Sequence, residues 1–167
     1  MPAGGDPGPV FVFFVEMTEQ DMAEENPQAG EGWSDDDFCF ACGRSNPHGL
    51  HLEFKIEDGK IRTSYLPEKK FQGYADVFHG GMIGLILDET MVNLPWKLFG
   101  TPVVSAELTF RLKAPARIGE RLFFTAEMEP PRGRLILTRG EARREDGTLV
   151  AEATAKCMKV SAQVQPR

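Results

Sequence analysis

Lysine and arginine are missing from the first 38 residues, although ten of those residues are acidic. The short apolar run Phe11-Val12-Phe13-Phe14-Val15 therefore has no basic residue before it and does not read as a signal peptide. Long hydrophobic runs are also lacking, so no stretch offers a membrane span. These absences set the expectation of a soluble, cytoplasmic protein that meets no membrane. Removing the acidic front leaves 15 acidic and 19 basic residues. That slight cationic excess is scattered through the chain rather than clustered, which argues against a nucleic-acid partner. Cysteine is scarce, with three in 167 residues. Cys39 and Cys42 form a lone Cys-x-x-Cys, and no second pair exists to complete four zinc ligands. His48 and His51 are near enough in sequence to complete a site on paper, but a reduced thiol pair in a turn is the reading adopted, with no metal.

Composition divides the chain into three parts. Residues 1–37 are rich in Pro, Gly and acid and bury little, so they read as a partly disordered extension. Within them Met17 to Glu25 suits one exposed helix capped by Thr18. Residues 38–160 have the apolar patterning of a single domain, and residues 161–167 read as a fraying tail.

What is present inside the domain is an ordered alternation. His51 to Ile56 and Lys60 to Leu66 read as two strands joined by the turn Glu57-Asp58-Gly59-Lys60. Residues 68–78 read as a loop. A helix then runs from His79 or Gly80 to Leu94, where Pro95 is expected to stop it. Its apolar residues cover nearly the whole circumference, which places it at the centre of a fold. Four strands follow: around Leu108, Phe110 and Leu112, then Leu122 to Glu129, Arg134 to Arg144, and Leu149 to Val160. An antiparallel sheet wrapped around one apolar helix, an α+β fold, satisfies this order.

The helix start carries the chemistry. His79-Gly80-Gly81 puts backbone N–H groups at a helix N-terminus, where an anion or a developing oxyanion is stabilised. Asp88 lies further in, between Gly84 and Leu85 on one side and Met91 and Val92 on the other. Burial there raises a carboxyl pKa and suits it to act as a base. By this pattern alone Glu89 is an equal candidate. Eight residues from Gly80 to Asp88 span roughly 12 Å at about 1.5 Å per residue. One carbonyl carbon cannot touch both, so cooperation requires two copies of the chain.

His79-Gly80-Gly81 followed by Asp88 resembles the hot-dog-fold thioesterases, in the branch that includes phenylacetyl-CoA-type thioesterases. Cys42-Gly43 with Asn46-Pro47-His48-Gly49-Leu50, the loop Phe71-Gln72-Gly73-Tyr74, and Ser105-Ala106-Glu107-Leu108 share the likeness, which runs from about Cys39 to Val160. The resemblance implies a curved antiparallel sheet around a central helix, assembled as a homodimer or homotetramer. It also implies hydrolysis of acyl-CoA without metal or organic cofactor. It tips the choice of acid to Asp88, as base or nucleophile, and leaves Glu89 as a packing or dimer-contact residue among those that border the substrate. Gly80 would polarise the carbonyl, His79 would fix the helix entry, Gly81 would flank the substrate and Ser105 would hold water. Many relatives carry an Asn six residues before the His; here Gly73 stands there, with Gln72 beside it as the replacement. Arg111 and Lys113, with Arg117, Arg132 and Arg134, are candidates for the nucleotide of coenzyme A. Phe71, Tyr74, Phe78, Trp96 and Phe99 are candidates for an acyl tunnel. Two other functions suit the same resemblance: a non-catalytic acyl-CoA binder, and a hydroxyacyl-thioester dehydratase pairing His79 with an acid.

Overall fold

A computed structural model describes residues 10–14, 36–100 and 102–160. Among these residues seven strands form one antiparallel sheet: β1 (Val10–Phe14), β2 (Lys55–Glu57), β3 (Lys60–Tyr65), β4 (Val103–Leu112), β5 (Leu122–Met128), β6 (Leu135–Arg144) and β7 (Leu149–Lys159). Their spatial order is β1-β4-β7-β6-β5-β3-β2. Among the described residues one long helix, α1 (Gly80–Phe99), packs on this sheet and touches β3, β4, β5, β6 and β7. The expected helix-on-sheet architecture is the one observed.

Residue size explains how the helix comes so close. Leu108, Phe110 and Leu112 of β4 lie opposite Ala155, Ala153 and Ala151 of β7, so each bulky residue faces a small one. On β6, Gly140 lies beneath the helix; a Cβ there would stand 3.3 Å from Met91 Cγ and 3.4 Å from Leu87 Cδ2. Small residues in the middle of the sheet thus open room that Leu87, Met91 and Ile86 fill, all fully buried. Burying each such side chain is worth about 1.5–3 kcal/mol.

Several expectations are corrected. Pro95 does not stop the helix, which continues to Phe99. Proline loses its own N–H bond and crowds the carbonyl four residues back, but Pro95 and Leu94 are both buried, and that packing holds the helix together through it. The actual stop is Gly100, left-handed at φ 63°, whose N–H bonds Trp96 O at 2.8 Å. His51 does not begin a strand. Its φ is 51°, and the flanking Leu50 and Leu52 N–H groups bond Phe40 O and Ala41 O instead. The segment therefore folds back on the Cys39–Gly43 turn, and β2 is only three residues long. The loop before the helix contains a short 3-10 turn, Lys69–Phe71. Val10–Phe14, given no element by the sequence reading, pairs with β4 from Glu107 to Arg111. The helix expected over Met17 to Glu25 and the tail 161–167 lie outside the described residues.

Candidate active site

One ridge of α1 organises the site. Gly80, Gly84 and Asp88 are spaced four apart, so they line one face. This ridge runs along the inner side of β4. A Cβ on Gly80 would stand 2.5 Å from Leu112 Cδ1, and one on Gly84 would stand 3.0 Å from two atoms of the Phe110 ring. Both glycines let β4 side chains approach the helix closely, a movable Leu112 methyl at Gly80 and an aromatic ring at Gly84.

Further along β4 the alternation breaks. Leu108 pairs with Ala155 and Glu107 with Lys156, and the register then shifts so that Ser105 pairs with Cys157. Ala106 is the extra residue of this bulge, and a bulge re-aims the side chains beyond it. Unbroken alternation would have turned Ser105 to the outer face with Glu107. The bulge instead sets it beside fully buried Cys157, on the side of the sheet that meets the helix.

Asp88 receives Ser105 there. Burial pushes the Asp88 carboxyl above its ordinary range, a hydrogen bond from Ser105 draws it part of the way back, and the charge of Glu89 adds to the rise. Oδ1 of Asp88 is buried and has no hydrogen-bond partner. The Cys157 thiol is pushed up to about 11, chiefly by burial and also by Asp88 nearby. A carboxylate buried with an unsatisfied oxygen is costly to maintain, and such cost is characteristic of functional groups.

At the other end of the ridge, His79 is the N-cap of α1, and its Nδ1 accepts the Gly81 N–H at 3.0 Å. That bond fixes the ring as a structural cap and leaves Nε2 with the proton when the ring is neutral. Met82 N–H and Ile83 N–H bond to His79 O. Among the described residues, no backbone acceptor takes the Gly80 N–H, so it stays available at the positive end of the helix. The preceding loop closes on itself: Gly73 N–H bonds Val77 O, and His79 N–H bonds Phe71 O. Gly73 lies against the His79 ring, with a would-be Cβ 3.3 Å from Cδ2. Gln72 accepts the Asp76 N–H through Oε1 at 3.3 Å, so that oxygen braces the loop.

Glu89 points elsewhere. Its Oε1 accepts from Asn93 Nδ2 at 2.8 Å and from Cys39 Sγ at 3.7 Å. The structure thereby separates the two acids that the sequence pattern leaves equal: Asp88 faces Ser105, and Glu89 faces the cysteine turn. Arg111 and Lys113 lie away from the ridge, because their neighbour Leu112 faces the helix. Both pair with Glu152, at 3.7 and 2.9 Å. Of the tunnel candidates, Phe78 is buried in the core, while Tyr74, Trp96 and Phe99 are exposed and Phe71 is half-buried.

The thioesterase superfamily model matches residues 75–151, which contain His79, Gly80, Asp88 and Ser105. Over residues 75–151, somewhat under half of the chain, the sequence is similar to that superfamily. Solved thioesterase-superfamily structures share the fold. One, described as a thioesterase superfamily protein, is 24% identical with a TM-score of 0.66, over 73% of this chain and 60% of its own. The chain therefore spans less than two thirds of that protein's length. A phenylacetic acid degradation-related protein from Ralstonia eutropha JMP134 is 27% identical with a TM-score of 0.60, over 65% of this chain and 85% of its own. The PaaI protein of the phenylacetic acid degradation operon of E. coli is 15% identical with a TM-score of 0.63, over 70% of this chain and 84% of its own. No curated protein matches. Among the described residues, no helix is long and apolar enough to cross a membrane.

Proposed function

We propose that this chain hydrolyses acyl-CoA thioesters in a pocket shared between two copies. The observation that carries the reading is the buried Asp88 carboxyl with an unpartnered oxygen beside Ser105, on the same ridge as the open Gly80 N–H. The thioester carbonyl oxygen binds the Gly80 N–H of one copy, where the helix start stabilises growing negative charge. Asp88 of the second copy takes a proton from water held by Ser105, and the water oxygen bonds to the carbonyl carbon. Collapse of the tetrahedral oxyanion breaks the C–S bond, coenzyme A leaves as thiolate, and the proton on Asp88 returns to solvent or to that thiolate. Direct attack by Asp88 to form an anhydride is the alternative course of the same assignment. Gln72, Gly73 and Gly81 border the carbonyl end of this pocket.

Replacing Asp88 by Asn removes the base and keeps the shape. Asp88→Asn is expected to abolish thiol release across short, long and aromatic acyl-CoAs while the oligomer and ligand binding persist. A variant that turns over its best substrate at the wild-type rate contradicts the role.

One observation favours a second reading, a non-catalytic acyl-CoA binder. Gly73 supplies no side-chain amide, and the Gln72 oxygen is already committed to the Asp76 N–H. Calorimetry with intact thioesters separates the two: a binder gives heat of binding and no free thiol. The dehydratase reading has less support, since His79 caps the helix through Gly81 and stands nine residues before Asp88.

A further inference from the structure

Beside the proposed active site, the turn that carries Cys39 and Cys42 closes on α1 in a manner that the thioester chemistry does not use. Cys39 Sγ, Cys42 Sγ and a carboxylate oxygen of Glu89 all lie within 4.8 Å of one another. Three such donors inside that limit can close on one tetrahedral ion by small side-chain rotations, its bonds running about 2.3 Å to sulfur and about 2.0–2.2 Å to oxygen. We propose that Cys39, Cys42 and Glu89 form a binding site for a thiophilic divalent cation of the zinc class, with water at the fourth position.

The turn is built to hold the two thiols in place. Gly43 N–H bonds Cys39 O at 2.9 Å, and a Cβ on Gly43 would stand 2.4 Å from the Cys39 nitrogen. Only glycine fits where the chain folds so tightly. Asp37 accepts from Arg44 N–H and from Ser45 Oγ, and the buried Asn46 donates to Phe38 O. Glu89 is held by Asn93, one turn further along α1. The ligands thus come from two elements that are each braced by other contacts, which lowers the ordering cost of binding.

Access is also present. A cavity of about 930 Å³ opens beside the cluster, lined by Cys39, Cys42, Glu89, His51 and Trp96 among others. His51 Nδ1 is 3.0 Å from Gly43 O, so that nitrogen donates to the carbonyl and His51 serves to brace the turn. Neither His48 nor His51 falls within the donor cluster; the structure supplies Glu89, 47 residues after Cys42 and on another element. In the metal-free chain the Cys39 thiol donates to the Glu89 carboxylate. Binding replaces the two thiol protons, which pass to the buffer, and leaves two thiolate–metal bonds.

The reduced full-length chain titrated with cobalt(II) tests the site without recourse to activity. The expected result is one equivalent bound, with thiolate-to-cobalt charge transfer in the near ultraviolet and tetrahedral d–d bands in the visible, both bleached by zinc. Cys39→Ser and Cys42→Ser each lose the band, and Glu89→Gln binds more weakly while the charge-transfer band persists. In the unaltered chain, zinc is expected to protect Cys39 and Cys42 from alkylation, read by mass spectrometry, which covers the case of a variant that fails to fold. Absence of the charge-transfer band, its survival in the Cys39→Ser/Cys42→Ser double variant, or unprotected thiols in the zinc-loaded chain overturns the proposal.

Discussion

Asp88 shows how position on a helix can matter more than residue type. Asp88 and Glu89 are adjacent acids in an apolar helix, and a side-chain pattern treats them alike. The backbone turns about 100° between them, so one meets Ser105 and the other meets the cysteine turn. Ser105 itself was hidden in the sequence for a simple reason. Strict alternation from Leu108, Phe110 and Leu112 puts it on the outer face, and nothing in Ser105-Ala106-Glu107 marks the bulge that brings it in. The resemblance pointed to it where periodicity could not. The energetic consequence is open to measurement. Burial raises the Asp88 carboxyl above its ordinary value, so between the unfolded and folded values the folded chain binds more protons than the unfolded one. Its contribution to stability then falls as pH rises through that window. Asp88→Asn has no such group. The melting temperature of the variant is expected to match or exceed the wild type, with a gap that widens as pH rises from below the usual Asp range toward neutrality. A gap that narrows over that range contradicts the burial cost.

At the scale of elements, α1 was legible almost entirely, because its apolar coverage and its His-Gly-Gly start are strong local signals. The strands β3 through β7 were legible for the same kind of reason, since turns at Asp58-Gly59, Gly119, Gly133 and Gly147 bound them. What failed was local inference overridden by packing. Pro95 reads as a stop, yet the helix runs a further turn because the N–H groups after it keep their partners. Val10–Phe14 carries no turn signal that ties it to a strand more than ninety residues away. The helix–sheet contact offers its own test. Gly84 is buried with the Phe110 ring 3.0 Å from a would-be Cβ. Leucine gains about 1 kcal/mol of helix propensity over glycine, but forcing extra carbons into a packed core costs typically about 1–3 kcal/mol. Gly84→Leu is expected to lower the urea midpoint, and a raised midpoint would show that β4 yields more easily than this packing indicates.

For the whole molecule, a single chain holds both halves of the proposed chemistry and cannot use them together. Gly80 and Asp88 stand on one helix face roughly 12 Å apart, and the two cavities beside the sheet and the cysteine turn include neither residue. The last turn of α1 also leaves Trp96, Leu98 and Phe99 exposed, at 37%, 41% and 51%. A two-fold pairing in which each copy supplies its amide to the other's carboxylate would satisfy the geometry twice over. Mixing two inactive variants tests this directly. Gly80→Pro removes the N–H at the first helical position, where proline is tolerated, and Asp88→Asn removes the acid, so a mixed dimer retains one intact pocket and one doubly damaged one. Random reassortment of equal amounts is expected to restore about one quarter of the wild-type thiol release, by the symmetry of a shared interface. A mixture as inactive as either parent, after mass spectrometry has confirmed that mixed dimers form, would contradict a site divided between two copies.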